Sequence, residues 1–135
     1  MRGLTLAVLF VVISLTAAGA EAPWAGVYQG DWASDASGVR GGFRMTLKAA
    51  GEGKWLGEVT FTIAEMEFKT TVKSLKIEGT KIEMSYEYEL GDGAGRLMST
   101  ITGGLEGAKV EGRYQAKSVP DGGVVDEGVW KAARR

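Results

Sequence analysis

The 135-residue chain contains no histidine and no cysteine. The first absence removes Ser-His-Asp and Cys-His triads, His-Glu-x-x-His zinc sites and histidine-ligated haem. The second removes thiol catalysis, thiolate metal sites and disulfides, so stability must come from packing and ladder hydrogen bonds. An excess of one charge is also missing: 16 basic residues stand against 17 acidic ones, with both signs interspersed. Such a surface offers no electrostatic footprint for nucleic acid or an anionic membrane. Only one long apolar run occurs, Leu4 to Leu15, interrupted by Thr5 and Ser14. It falls short of the roughly 20 residues that a membrane-spanning helix needs.

That run has Arg2 before it and the small residues Ala18-Gly19-Ala20 after it, the pattern of a secretory signal peptide over residues 1–20. Cleavage after Ala20 predicts a mature chain starting at Glu21 that is secreted or periplasmic. With no cysteine in the cleavage region, a lipid anchor of the bacterial lipoprotein kind is excluded. The mature chain, residues 21–135, is 135 minus 20, or 115 residues, enough for one domain with a core of its own. Removing Arg2 leaves 15 basic and 17 acidic residues, a net charge of −2.

What is present is a repeat. Lys54-Trp55-Leu56-Gly57-Glu58-Val59, Lys81-Ile82-Glu83-Met84-Ser85-Tyr86 and Lys109-Val110-Glu111-Gly112-Arg113-Tyr114 follow one another at spacings of 27 and 28 residues. That period is about one β-hairpin with its connections. Alternation of apolar and polar residues runs through nearly the whole mature sequence and no helical segment of any length appears. Eight strands are predicted. The first, Trp24 to Trp32, turns its even-numbered residues inward. The second is Gly42 to Ala49, and the third is Lys54 to Ile63. The fourth turns Met66, Phe68, Thr70 and Val72 inward, slips parity through a β-bulge at Lys73-Ser74, and continues with Leu75 and Ile77. The fifth is Lys81 to Leu90, the sixth Arg96 to Leu105, the seventh Lys109 to Lys117 and the eighth Val124 to Ala133. Pairing of the fourth and fifth sets Lys76 opposite Glu83 and Lys69 opposite Glu89. The expected fold is all-β, an eight-stranded antiparallel up-and-down meander closed into a barrel, which removes its edges.

Inward glycines alternate with aromatic or aliphatic residues in Trp24-x-Gly26-x-Tyr28, Trp55-x-Gly57-x-Val59, Val110-x-Gly112-x-Tyr114 and Gly128-x-Trp130. They make room for neighbouring rings and permit sharp coiling. The Gly30-Asp31-Trp32 opening looks like that of lipocalin-like and avidin-like barrels. The fuller rhythm, through Gly53-Lys54-Trp55-Leu56-Gly57 to Gly128-Val129-Trp130-Lys131-Ala132-Ala133-Arg134, resembles small secreted bacterial domains found alone or beside exported hydrolases. The resemblance implies a meander barrel. It transfers no binding residue, because the avidin ureido loop and the lipocalin acidic-aromatic turn and paired cysteines are missing.

The chemistry left is carboxylate, tyrosine, lysine and serine. A glycosidase needs two inward carboxylates about 5 to 10 Å apart. Asp126 is the single carboxylate placed inward within a strand, and one carboxylate does not make the pair; Asp31 or Asp35 from the first loop would approach it only with the opposite parity there, so no catalytic set is assigned. Gly91 to Gly95 joins two strands and precedes no helix, so it is not a phosphate loop. Asp31, Asp35 and Asp92 lack the spacing of a calcium loop, and no cofactor or metal is assigned. Tyr86, Tyr88, Ser99, Tyr114 and Asp126 are polar groups on an otherwise apolar inner face that also carries Trp55 and Trp130. These seven residues form the predicted ligand site, suited to a small apolar or amphipathic molecule. The rival expectation is an interaction module for an exported protein, contacting it through the Ala33 to Gly41 loop and the Glu21-Ala22-Pro23 arm. An open interior of a few hundred Å³ favours the first and a filled one the second.

Overall fold

Alternating side chains commit each strand to two faces, and in the computed structural model the strands join into one sheet whose concave face holds the core. The structure describes residues 24–91 and 95–135. The signal peptide assigned to residues 1–20, the 21–23 arm and Asp92 lie outside the described residues. The strands are β1 (Gly26–Ser34), β2 (Arg40–Gly51), β3 (Lys54–Ile63), β4 (Met66–Lys69), β5 (Thr71–Glu78), β6 (Lys81–Glu89), β7 (Arg96–Glu106), β8 (Lys109–Val119) and β9 (Val124–Arg134). All pairings are antiparallel, in the spatial order β4-β3-β2-β1-β9-β8-β7-β6-β5. The chain is thus an all-β up-and-down meander in which the first and last strands are neighbours.

Among the described residues nine strands replace the predicted eight, because the fourth divides at Thr70. Its first part, β4, pairs with β3, and its second part, β5, pairs with β6. The Thr70 hydroxyl donates to the Val59 carbonyl at 2.8 Å, anchoring the crossing point. The sheet therefore curls strongly without ladder bonds between its outer strands β4 and β5, so two edges remain where the sequence suggested complete closure. Side chains fill this seam instead. A β-carbon on Gly57 of β3 would sit 3.0 Å from Leu75 Cδ2 of β5 and 3.3 Å from Met84 Sδ of β6. Phe61 of β3 meets Tyr88 of β6 edge-on at 4.7 Å between ring centroids and stacks on Phe68 of β4 at 5.3 Å.

The bulge falls where parity required it, with Lys73 unpaired between Val72 opposite Tyr86 and Ser74 opposite Ser85. Lys76 faces Glu83 as expected. Lys69 does not face Glu89: the break at Thr70 turns it to Thr60, and Glu89 pairs with Arg96 at 3.8 Å. Met66, expected inside, begins a short edge strand and is 63% exposed.

The core comprises Tyr28, Phe43, Met45, Leu47, Val59, Phe61, Ile82, Met84, Tyr86, Ile101, Val110 and Trp130, with Trp24. Trp24 precedes β1 rather than opening it, and plugs one end of the curl. Its Nε1 donates to the Gly79 carbonyl of the β5–β6 turn at 2.7 Å, and Tyr28 Oη donates to the Trp24 carbonyl at 3.0 Å. Coiling at the middle of the sheet depends on glycine. A β-carbon on Gly112 of β8 would fall on the Thr102 carbonyl oxygen of β7 and 2.6 Å from Gly103 Cα. The backbones of adjacent strands, more than a ring, occupy the space that this glycine leaves.

Candidate functional site

With Trp24 closing one end, the opposite end is bounded by the β1–β2, β3–β4 and β8–β9 connections and by Leu90 after β6. A cavity of about 110 Å³ opens there. Its inner wall is apolar and buried, built from Phe43, Ile101 and Trp130, while Trp32, Ile63, Leu90, Leu97, Tyr114 and Asp126 line the partly exposed outer part. Phe61, Tyr86, Tyr88, Ser99 and Ala116 complete it.

Two indoles hold the wall in shape. Trp130 of β9 sits opposite Gly112 and donates through Nε1 to the Thr102 carbonyl of β7 at 3.1 Å, two strands away. Its benzo edge occupies the space above Gly103, whose β-carbon would lie 2.7 Å from Trp130 Cζ2. Trp32 of β1 repeats the arrangement: it sits opposite Gly41 of β2 and donates to the Thr62 carbonyl of β3 at 3.0 Å. Its ring meets Tyr114 edge-on at 5.9 Å and Phe61 edge-on at 6.5 Å.

The polar part of the wall is organised around Gly128. In the ladders Gly128 lies between Tyr114 of β8 and Ser34 of β1. Because Gly128 has no side chain, both neighbours extend toward Asp126, two residues along β9. Ser34 Oγ donates to Asp126 Oδ1 and Tyr114 Oη donates to Asp126 Oδ2, each at 2.7 Å. A carboxylate offers about four lone-pair positions, and these two bonds use half of them. A second pair, Tyr88 Oη and Ser99 Oγ, lies 3.0 Å apart in the buried wall. The β1–β2 connection is fastened beside this group by Asp35 N–H donating to the Glu127 carbonyl at 2.9 Å and by an exposed Arg113–Asp35 ion pair.

Burial raises the pKa of each cavity tyrosine, because a phenolate would lose its hydration. For Tyr114 the effect of burial is reinforced by its hydrogen bond to Asp126 and by the nearby carboxylate charge. Burial dominates for Tyr88, opposed by its bond with Ser99 and aided by Asp126. For Tyr86 burial comes first, then the proximity of Tyr88 and Tyr114. All three remain neutral phenols, able to donate but not to act as bases at ordinary pH.

Six of the seven predicted site residues, Tyr86, Tyr88, Ser99, Tyr114, Asp126 and Trp130, line this one cavity. Trp55 does not. It stands opposite Ala49 near the β2–β3 turn, half-buried against the core. Asp31 and Asp35 do not join Asp126 as a second inward carboxylate: both are exposed, and Asp35 is held by Arg113. Ser34 lies beyond the predicted end of the first strand at Trp32, although continuing the even-numbered parity of that strand by one more step puts it inside. Trp32, Phe43 and Phe61, which are not among the seven predicted site residues, form much of the wall.

The chain matches no known protein-family model, and no curated protein matches its sequence.

Proposed function

We propose that this protein is a non-catalytic binding barrel, exported to the cell exterior or periplasm, that takes a small and partly apolar ligand through the open mouth. The observation that carries the reading is the cavity itself: an apolar inner wall of Phe43, Ile101 and Trp130 meets one organised polar group, Asp126 with Ser34 and Tyr114. Apolar enclosure with a few converging polar atoms is how small-molecule sites combine affinity with orientation. The space is smaller than the few hundred Å³ expected of an open interior, which restricts the proposed ligand to a small molecule. At about 110 Å³ the space is below the few hundred Å³ of drug-sized pockets and near the roughly 150 Å³ void that accepts benzene. One ring or a short branched chain fits inside, and anything larger extends into the mouth.

A melting screen with small aromatics, short-chain alcohols and amines, fatty acids, sugars and short peptides tests this. A ligand present at 100 times its dissociation constant stabilises the folded state by about 2.7 kcal/mol, which is readily seen in a melt. Single-ring or short-chain compounds should raise the melting temperature and perturb the fluorescence of Trp32 and Trp130, while sugars and peptides should not. Absence of any shift across the whole screen would defeat the reading.

A second reading, recognition of an exported protein partner, draws on a different observation. Val125 and Val129 of β9 are exposed at 56% and 44%, and Val39 in the β1–β2 connection at 46%. They lie on the outer surface near the fastened β1–β2 connection. Binding to a partner by this face would be lost in Val129→Lys, a change that leaves the cavity untouched.

A further inference from the structure

The charge of the cavity wall narrows the ligand class, an inference that rests on the binding function proposed above. Among the described residues that line the cavity, Asp126 is the one carboxylate, and no lysine or arginine is among them. A carboxylate or phosphate ligand would therefore bring a second negative charge beside the first with no cation to offset either, and desolvation would increase the cost. A neutral apolar ligand would leave the open lone pairs of Asp126 facing it without donors. An ammonium group satisfies both conditions, since it has three donors and a positive charge.

Position along the cavity agrees with charge. Ile101, Phe43 and Trp130 are almost fully buried, whereas Asp126 is partly exposed in the outer part. An amphipathic molecule would place its apolar end inward and its charged end where water still reaches it, so the ammonium avoids full desolvation. Ser34 and Tyr114 fix the carboxylate by one bond to each oxygen, which orients the remaining lone pairs before any ligand arrives. The rings of Trp32 and Tyr114, edge to face at 5.9 Å, add π surface around the same end. We propose that the cavity binds a small amphipathic amine, with one ring or short alkyl group against Ile101, Phe43 and Trp130 and its ammonium paired with Asp126.

Calorimetric titration of the purified protein near neutral pH with three isosteric probes tests this: 2-phenylethylamine, 2-phenylethanol and phenylacetate. The amine should bind about tenfold or more tighter than the alcohol, the range expected of a hydrogen bond to a charged acceptor, and the acid should bind weakest. Asp126→Asn should remove most of the amine's advantage and leave the alcohol's affinity unchanged. Where that variant does not fold, the amine-to-alcohol ratio in the unaltered protein decides alone. An alcohol that binds as tightly as the amine overturns the amine assignment while leaving the cavity as a binding site. Failure of all three probes to bind overturns both.

Discussion

The Tyr114 phenol reaches Asp126 at 2.7 Å by crossing Gly128, the residue that faces Tyr114 in the β8–β9 ladder. A β-carbon on Gly128 would lie 2.9 Å from Tyr114 Cε1, so the missing side chain is what lets the ring lie across the strand. Tyr114→Phe removes one of two donors from Asp126 and retains the ring. It should lower stability by about 1 kcal/mol, at the lower end for a bond to a charged group because the site is half open. Urea melts with an unchanged slope and a lower midpoint would show it; an unchanged midpoint would mean that water replaces the phenol without loss.

Gly112 makes a harder demand. Its missing β-carbon is replaced by the Thr102 carbonyl and the Gly103 backbone, which cannot move as a side-chain tip can. Gly112→Val should therefore cost about 3 kcal/mol or more, at or beyond the upper end of ordinary overpacking. The adjacent exposed change Glu111→Ala should stay within about 0.5 kcal/mol. Similar losses at the two positions in denaturant melts would contradict the assigned faces.

All four tyrosines in the chain have their pKa raised by burial. Below about pH 10 the phenols are protonated in both folded and unfolded chains, so their contribution is constant. Above it the unfolded chain releases protons that the folded chain keeps, so stability falls as pH rises. The slope is up to about 1.4 kcal/mol per pH unit for each such tyrosine. Urea midpoints should be level from about pH 7 to pH 9 and drop steeply beyond pH 10, with phenolate absorbance appearing only on unfolding. Phenolate absorbance in the folded protein near pH 10 would count against the buried positions assigned here.

The amino-terminal residues bear on location. Arg2, the Leu4 to Leu15 run and Ala18-Gly19-Ala20 predict removal of residues 1–20 and a mature terminus at Glu21. Amino-terminal sequencing of protein recovered from periplasm or medium checks it. Met1 retained in a membrane fraction would refute export with cleavage.

Strand alternation made the meander, the Lys73 bulge and most inward residues readable from sequence, because period two assigns each side chain to a face. Alternation does not say which strand lies beside which. Nothing local marks Thr70 as the point where β4 leaves β3 and β5 joins β6, so the open seam and the Thr60 partner of Lys69 required the three-dimensional arrangement. Depth along a strand is equally silent: Trp55 and Trp130 share a face, yet only Trp130 reaches the cavity. Ser34 was hidden by a strand end drawn two residues early. The convergence of Ser34 and Tyr114 on Asp126 depends on the ladder register across Gly128, which spacing alone does not encode.

Whether the mouth cavity holds a ligand can be read from a crystal soaked with 4-bromobenzyl alcohol, through the anomalous signal of bromine. A bromine site is expected inside the curl, against Ile101 and Trp130, with the hydroxyl toward Asp126. A cavity left without ligand, with bromine bound only on the outer surface beside Val129, would contradict it.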